Sequence, residues 1–173
     1  MKPIKKVILA ILVAVGSTFT SLAQSYVITT VTASVITPIS IIKNIDMNFG
    51  NIAVSVTTPG AAILSPAGTR TTGGAGGVTL PATTGAVSAA SFTISGQANY
   101  TYAITLPTAC TINDGSGNTI TGNSFTSIPS TSGLLSTSGT QVLNIGATLN
   151  FIANQHPGSY TNASGLPVTV NYN

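Results

Sequence analysis

The chain has 173 residues, of which only seven are charged: five Lys or Arg and two Asp. Hydrophobic residues make up 43%, and glycine occurs 18 times. That apolar content excludes a charge-swollen disordered tail, and a chain of this length buries enough surface for one ordinary domain.

The first 23 residues, "MKPIKKVILAILVAVGSTFTSLA", set a basic start (Lys2, Lys5, Lys6) before an apolar run from Val7 to Val15. Small residues follow at Ser21 and Ala23, which is the layout of a secretory signal peptide helix cleaved between Ala23 and Gln24. The run is too short to span a bilayer comfortably as a retained anchor, and no Cys follows the cleavage point to carry a lipid. The sequence therefore predicts two parts, a signal peptide over 1–23 and a single domain over 24–173. Such a protein is secreted, to the periplasm, the cell surface or the extracellular space, with no membrane span in its mature part.

Removing the signal removes three of the five basic residues. The remainder keeps Lys43, Arg70, Asp46 and Asp114, a side-chain net charge of zero. The basic isoelectric point thus belongs to the export tag, and nothing in the mature chain suits nucleic acid or anionic lipid. One cysteine, Cys110, permits no internal disulfide and reads as a small packed hydrophobe.

From residue 24 onward the apolar period is two, not 3.6, and Glu is absent. Val27, Thr29, Val31, Ala33 and Val35 share one face; after Pro38, Ile39 and Ile41 resume. Ile45, Met47 and Phe49 occupy odd positions and Ile52, Val54 and Val56 even ones, so a bulge or turn is expected at Gly50-Asn51. Thr57–Pro81 and Ser127–Gly139 are rich in Gly, Ser and Thr and read as surface loops. Phe92 and Ile94 mark a strand, "SGQAN" a turn, and Tyr100, Tyr102, Ile104 and Leu106 the core face of the next strand. Two runs flank "NDGSGN" as a hairpin, Cys110–Asn113 and Thr119–Phe125. The longest run is Leu143 to Ala153, with a bend expected at Gly146, and the last is "PVTVNYN", with Val168, Val170 and Tyr172 on one side. Eight to ten short strands without helices predict an all-β antiparallel sandwich or barrel.

The segments "ASVITPISIIKNIDMNFGNI", "FTISGQANYTYAITLP", "LNIGATLNF" and "HPGSYTNASGLPVTVNYN" resemble a bacterial secreted family called domain of unknown function 4402. "D-x-x-F-G" at Asp46–Gly50 and the closing alternation are the most specific part. The pattern is also similar to spore coat protein U and to pilins of chaperone–usher fimbriae. The resemblance implies an immunoglobulin-like (pilin-like) β-sandwich in a surface or extracellular structure. It also implies that a strand stopping at Tyr172 leaves room for one supplied by a neighbour. Val27, Val31, Ala33 and Val35 are the candidate donors for such an exchange. The alternative is that Val31–Thr37 is the first strand of a complete sandwich.

Two mature cations are few guards for open sheet edges, which favours association of copies through strands. Catalysis has little to work with. His156, the sole histidine, lies in the turn "NQHPG"; Asp46 and Asp114 are the only carboxylates. No nucleophile motif accompanies them, so no enzyme, cofactor or metal is expected. Asp46 reads as a cap on backbone donors before "NFG". "NDGSGN" offers too little charge for calcium, and "GGAGG" has no helix behind it to bind phosphate. The predicted function is a non-catalytic, fimbrial-subunit-like structural protein whose partners are itself or other surface subunits. The alternative is an adhesin or carbohydrate-binding module that stacks glycans on Tyr26 or Tyr160.

Overall fold

A computed structural model describes residues 24–173. The predicted signal helix and the Ala23 side of its cleavage point lie outside the described residues. The chain divides into two units, one ending at Ser34 and one spanning Val35–Asn173. In the first unit, residues 24–34 form no strand and every one is exposed.

The second unit is all-β, with no helix among the described residues. Its strands are β1 (Ser40–Ile45), β2 (Ala53–Val54), β3 (Gly60–Leu64), β4 (Arg70–Gly73), β5 (Val78–Thr79) and β6 (Ala90–Ser95). They continue with β7 (Thr101–Thr105), β8 (Ala109–Asn113), β9 (Thr119–Ile128), β10 (Ser132–Leu134), β11 (Thr140–Phe151) and β12 (Thr169–Tyr172).

The hub is β11, the longest apolar alternation in the sequence. Along one edge its first half pairs with β6 and its second half with β3; the other edge pairs with β9. Outside these lie β1 on β6, β4 on β3 and β8 on β9, completing a seven-stranded antiparallel sheet. A three-stranded sheet, β10-β7-β12, and a two-stranded one, β2-β5, complete the fold.

Two clusters make up the core. Phe92, Ile94, Leu143 and Ile145 of the large sheet pack with Tyr102, Leu135 and Val170 around the small sheet. Ala62, Leu64, Ala147, Leu149 and Phe151 pack with Phe49 and Val78. Met47 and Phe125 touch both clusters. Interdigitation of two faces in this way is the packing logic of a sandwich.

Several sequence readings need correction. Thr57–Pro81 is not a surface loop: it folds into β3, β4 and β5, with Ala62 and Leu64 sealed in the core. Its strands are short and glycine-broken, so no long alternation announces them. Ser127–Gly139 likewise contains the end of β9 and all of β10. Val31–Thr37 is no strand here. Tyr102 is fully buried as expected, but Tyr100 is exposed, lying edge-on to Tyr172 with ring centroids 5.8 Å apart. The parity change at Gly50 is real: its φ is +64°, the left-handed region where glycine carries no Cβ penalty. The Gly146 bend also stands, as a register shift between Gly146 and Thr148.

Candidate functional site

The small sheet covers only part of the large one. Over the other part, the inner face of β8, β9 and β11 opens into a groove of about 1210 Å³ whose floor includes Ile112, Ile120, Leu149 and Phe151. Its walls are Asp46–Val54, irregular as far as Ile52 and ending in β2, and the irregular stretch Gln155–Asn162.

The first wall is the "D-x-x-F-G" stretch. A register shift between Lys43 and Ile45 ends the regular pairing of β1. Asn48 then exchanges backbone hydrogen bonds with Ser88, at 2.8 and 3.0 Å. The Asn48 side-chain oxygen accepts from the Gly50 amide at 2.8 Å, and the left-handed turn at Gly50 drops Phe49 into the core. From β4, Arg70 reaches across and donates through Nη1 to the carbonyls of Phe49 and, at 2.9 Å, Asn51. A guanidinium thus satisfies carbonyls that no neighbouring strand reaches. Sequence reasoning gave Arg70 no role. The usable signal was a lone arginine with no carboxylate near it in sequence.

The sequence reading of Asp46 is corrected by this wall. Asp46 is exposed and pairs with Lys43 at 2.7 Å, while the capping belongs to Asn48.

The second wall is tied to the β8–β9 hairpin. Asn113 and Thr161 exchange backbone bonds at 3.0 and 2.9 Å. Tyr160 donates its hydroxyl proton to the His156 carbonyl at 2.7 Å and accepts from Gln155 Nε2 at 2.9 Å. Tyr160 is therefore half-buried and engaged, unlike an open platform for a sugar ring. Tyr26 is exposed.

His156 and Asp114 come within 3.7 Å, Nδ1 to Oδ2, although 42 positions separate them (156 − 114). Asp114 Oδ1 accepts from the Ser116 and Asn118 amides at 2.8 and 3.1 Å, and Oδ2 accepts from Asn118 Nδ2 at 2.6 Å. These bonds, led by the Asn118 side chain, hold the Asp114 carboxyl below its ordinary value. "NDGSGN" is thus a self-satisfied hairpin turn. Cys110 lies in the groove lining, and burial pushes its thiol pKa up. Among the described residues no three His, Cys, Asp or Glu side chains gather as a metal site. No described helix is long and apolar enough to cross a membrane.

The closing strand packs in the cluster around the small sheet, whereas Leu149 and Phe151 of the groove floor pack in the other cluster. Val170 is buried, with Val168 and Tyr172 packed beside it, as the alternation predicts. The Tyr172 hydroxyl donates to the Thr37 carbonyl at 2.7 Å and accepts from the Gln97 amide at 2.6 Å. Gln97 Oε1 in turn accepts from the Thr37 amide at 3.2 Å. Ahead of this latch the candidate donor side chains are unpacked: Val27 is 91% exposed, Val31 89% and Val35 99%, and Ala33 is exposed with them. The structure therefore brings Tyr172 to Thr37, while Val27, Val31, Ala33 and Val35 are exposed.

No curated protein and no solved structure matches the chain. A family model does, over residues 39–172, beginning at the first packed residues after the latch and ending inside the closing strand. By that match the chain belongs to the family described as Domain of unknown function (DUF4402).

Proposed function

We propose that the protein is a non-catalytic, exported structural subunit whose copies associate by β-strand addition. In this reading the stretch Val27–Val35 of one copy lies in the groove of the next, and Val27, Val31, Ala33 and Val35 supply alternate side chains. The observation that carries it is the groove over Leu149 and Phe151, whose walls at Asp46–Ile52 and Gln155–Asn162 lie outside the strands. A strand entering there gains backbone hydrogen bonds from the walls and burial from the floor. Burial of each valine contributes about 1.5 kcal/mol.

The polarity of the sandwich supports association between copies over closure within one. Thr37 is held at the Gln97–Tyr172 end, where Thr140 of β11 pairs with Ser95. The groove floor begins at Ala147, seven strand positions on (147 − 140), roughly 24 Å along the sheet. A chain that enters the fold at Thr37 and a groove that lies farther along β11 favour head-to-tail addition, which extends into a fibre unless its rotation closes a ring. Export through residues 1–23 fits this use and belongs to the same proposal. Tyr160 is half-buried and so offers little open ring face for a sugar to stack on, which favours this reading over a carbohydrate module.

Electron microscopy and size-exclusion chromatography of the purified protein test the reading. Expected are concentration-dependent oligomers that the double change Val27→Glu and Val31→Glu disperses, and that an added peptide of residues 24–37 competes away. Oligomers unaffected by both, or no oligomers at any concentration, would sink it.

A further inference from the structure

We infer that the cavity beside Arg70 binds a carboxylate, either of a small free acid or of a uronic acid residue in an acidic polysaccharide. A charge without a counter-ion points there. Residues 24–173 hold two cations, Lys43 and Arg70, and two side-chain carboxylates. Asp46 is taken by Lys43 at 2.7 Å. Asp114 is held in its own hairpin turn by Ser116 and Asn118, with His156 at 3.7 Å. No side-chain carboxylate is left for Arg70, and residues 1–23 contain none.

The guanidinium is nevertheless fixed in place. Arg70 is half-buried at the start of β4, and both hydrogens of Nη1 go to the Phe49 and Asn51 carbonyls. Three N–H donors remain on Nη2 and Nε, and no acceptor among the described residues meets them. Neither nitrogen is sealed from solvent, since no buried side-chain nitrogen among the described residues lacks a partner.

The same side chain lines a cavity of about 370 Å³ with Gly68, Leu80, Pro81, Thr84 and Val87. Mostly apolar walls with a few orienting polar groups, at this volume, are the make-up of a small-molecule site. The planar fork of the guanidinium matches the two oxygens of a carboxylate. One fixed cation balances a monoanion; a phosphate or sulfate dianion would bring a second charge with nothing to meet it. Leu80, Pro81 and Val87 offer apolar surface to a short acid or to the C–H face of a sugar ring. The Thr84 hydroxyl donates to the Gly85 carbonyl at 3.0 Å, so its lone pairs are left to accept from a ligand hydroxyl. The cavity shares no lining residue with the groove over Leu149 and Phe151, so the site does not depend on strand addition.

Saturation-transfer NMR on the purified protein tests the inference, because it reads the ligand and works in any oligomeric state. The probes are galacturonate, its neutral counterpart galactose, acetate, sulfate and polygalacturonate. Galacturonate should bind with a dissociation constant on the order of millimolar, and galactose should not bind. Arg70 is the sole arginine of the chain, and Arg70→Lys, which keeps the charge but loses the fork, should weaken binding about tenfold. Thr84→Glu sets a carboxylate in the same lining while Arg70 and its wall bonds stay, and should abolish binding. Lys43→Met removes the other cation, which is not in the lining, and should change nothing. Circular dichroism melts confirm that each variant folds. Acetate binding as tightly as galacturonate assigns the site to small free acids. Polygalacturonate binding more tightly than the monomer, with the same loss in Thr84→Glu, assigns it to an acidic polysaccharide. Galactose or sulfate binding as well as galacturonate, no carboxylate binding at all, or binding that survives both Arg70→Lys and Thr84→Glu overturns the inference. None of these outcomes bears on association through Val27–Val35, so the two readings fail separately.

Discussion

The hydroxyl of Tyr172 donates to the carbonyl of Thr37 at 2.7 Å, joining positions 135 apart in sequence. One side chain in the closing strand therefore fixes where the chain enters the folded unit. The same oxygen accepts from the Gln97 amide, so three segments meet on a single phenol. A Cβ on Gly96 would overlap that hydroxyl, which gives the glycine of "SGQAN" a role beyond the turn.

Replacing Tyr172 by Phe keeps the ring against Tyr100 but removes both hydrogen bonds. It leaves the Thr37 carbonyl and the Gln97 amide to find water. Each such bond contributes about 1 kcal/mol net. Urea denaturation should therefore show a loss of about 1–3 kcal/mol, together with faster proteolysis just ahead of Pro38. An unchanged midpoint with unchanged cleavage would mean that the latch holds nothing.

Gly50 and Gly115 both have positive φ, +64° and +77°, but their surroundings differ. A Cβ at Gly50 would run into the Thr84 carbonyl oxygen, whereas nothing lies within 4 Å of one at Gly115. Gly50→Ala combines backbone strain with a clash against backbone, and should cost more than ~2 kcal/mol. Gly115→Ala carries the strain alone, about 1 kcal/mol. Paired thermal melts should rank them in that order; equal losses would show that the Gly50 turn yields easily.

Sequence alone carried the β period, the hairpin at "NDGSGN", the buried alternation of β11 and the parity change at Gly50, because each is a local pattern. It missed β3 and β4. Gly60–Leu64 has only five residues, and its burial is created by pairing with Ala147–Phe151, far along the chain. The groove was equally hidden, since its walls are defined by what fails to pair. The role of Arg70 depends on two carbonyls about twenty positions away.

Arg70→Met tests that role. The methylene stem is roughly kept, but the Phe49 and Asn51 carbonyls lose a charged donor, worth about 1.5–3 kcal/mol per bond at full strength and less where solvent reaches. Global stability should fall by about 1–2 kcal/mol. Amide exchange should rise most over Asn48–Ile52, and binding of the 24–37 peptide should weaken further than Arg70→Lys weakens it. Uniform exchange across the sandwich would place Arg70 among ordinary surface residues.

Asp114 gives a pH signature with a definite sign. Its carboxyl is held below the ordinary value in the folded state, first by the Asn118 side chain and then by the Ser116 amide. A depressed folded value means that the unfolded chain takes up the proton first. The contribution to stability is therefore complete above the ordinary carboxylate range, near pH 4, and is lost as pH falls through the lower folded value. Asp114→Asn removes the carboxylate and with it this acid limb. Between pH 5 and pH 2 the parent should therefore lose more stability than the variant. Chemical denaturation at a series of pH values checks this. Parallel curves for the two proteins would show that the hairpin bonds do not favour the charged form, and the acid limb would then have to come from elsewhere in the fold.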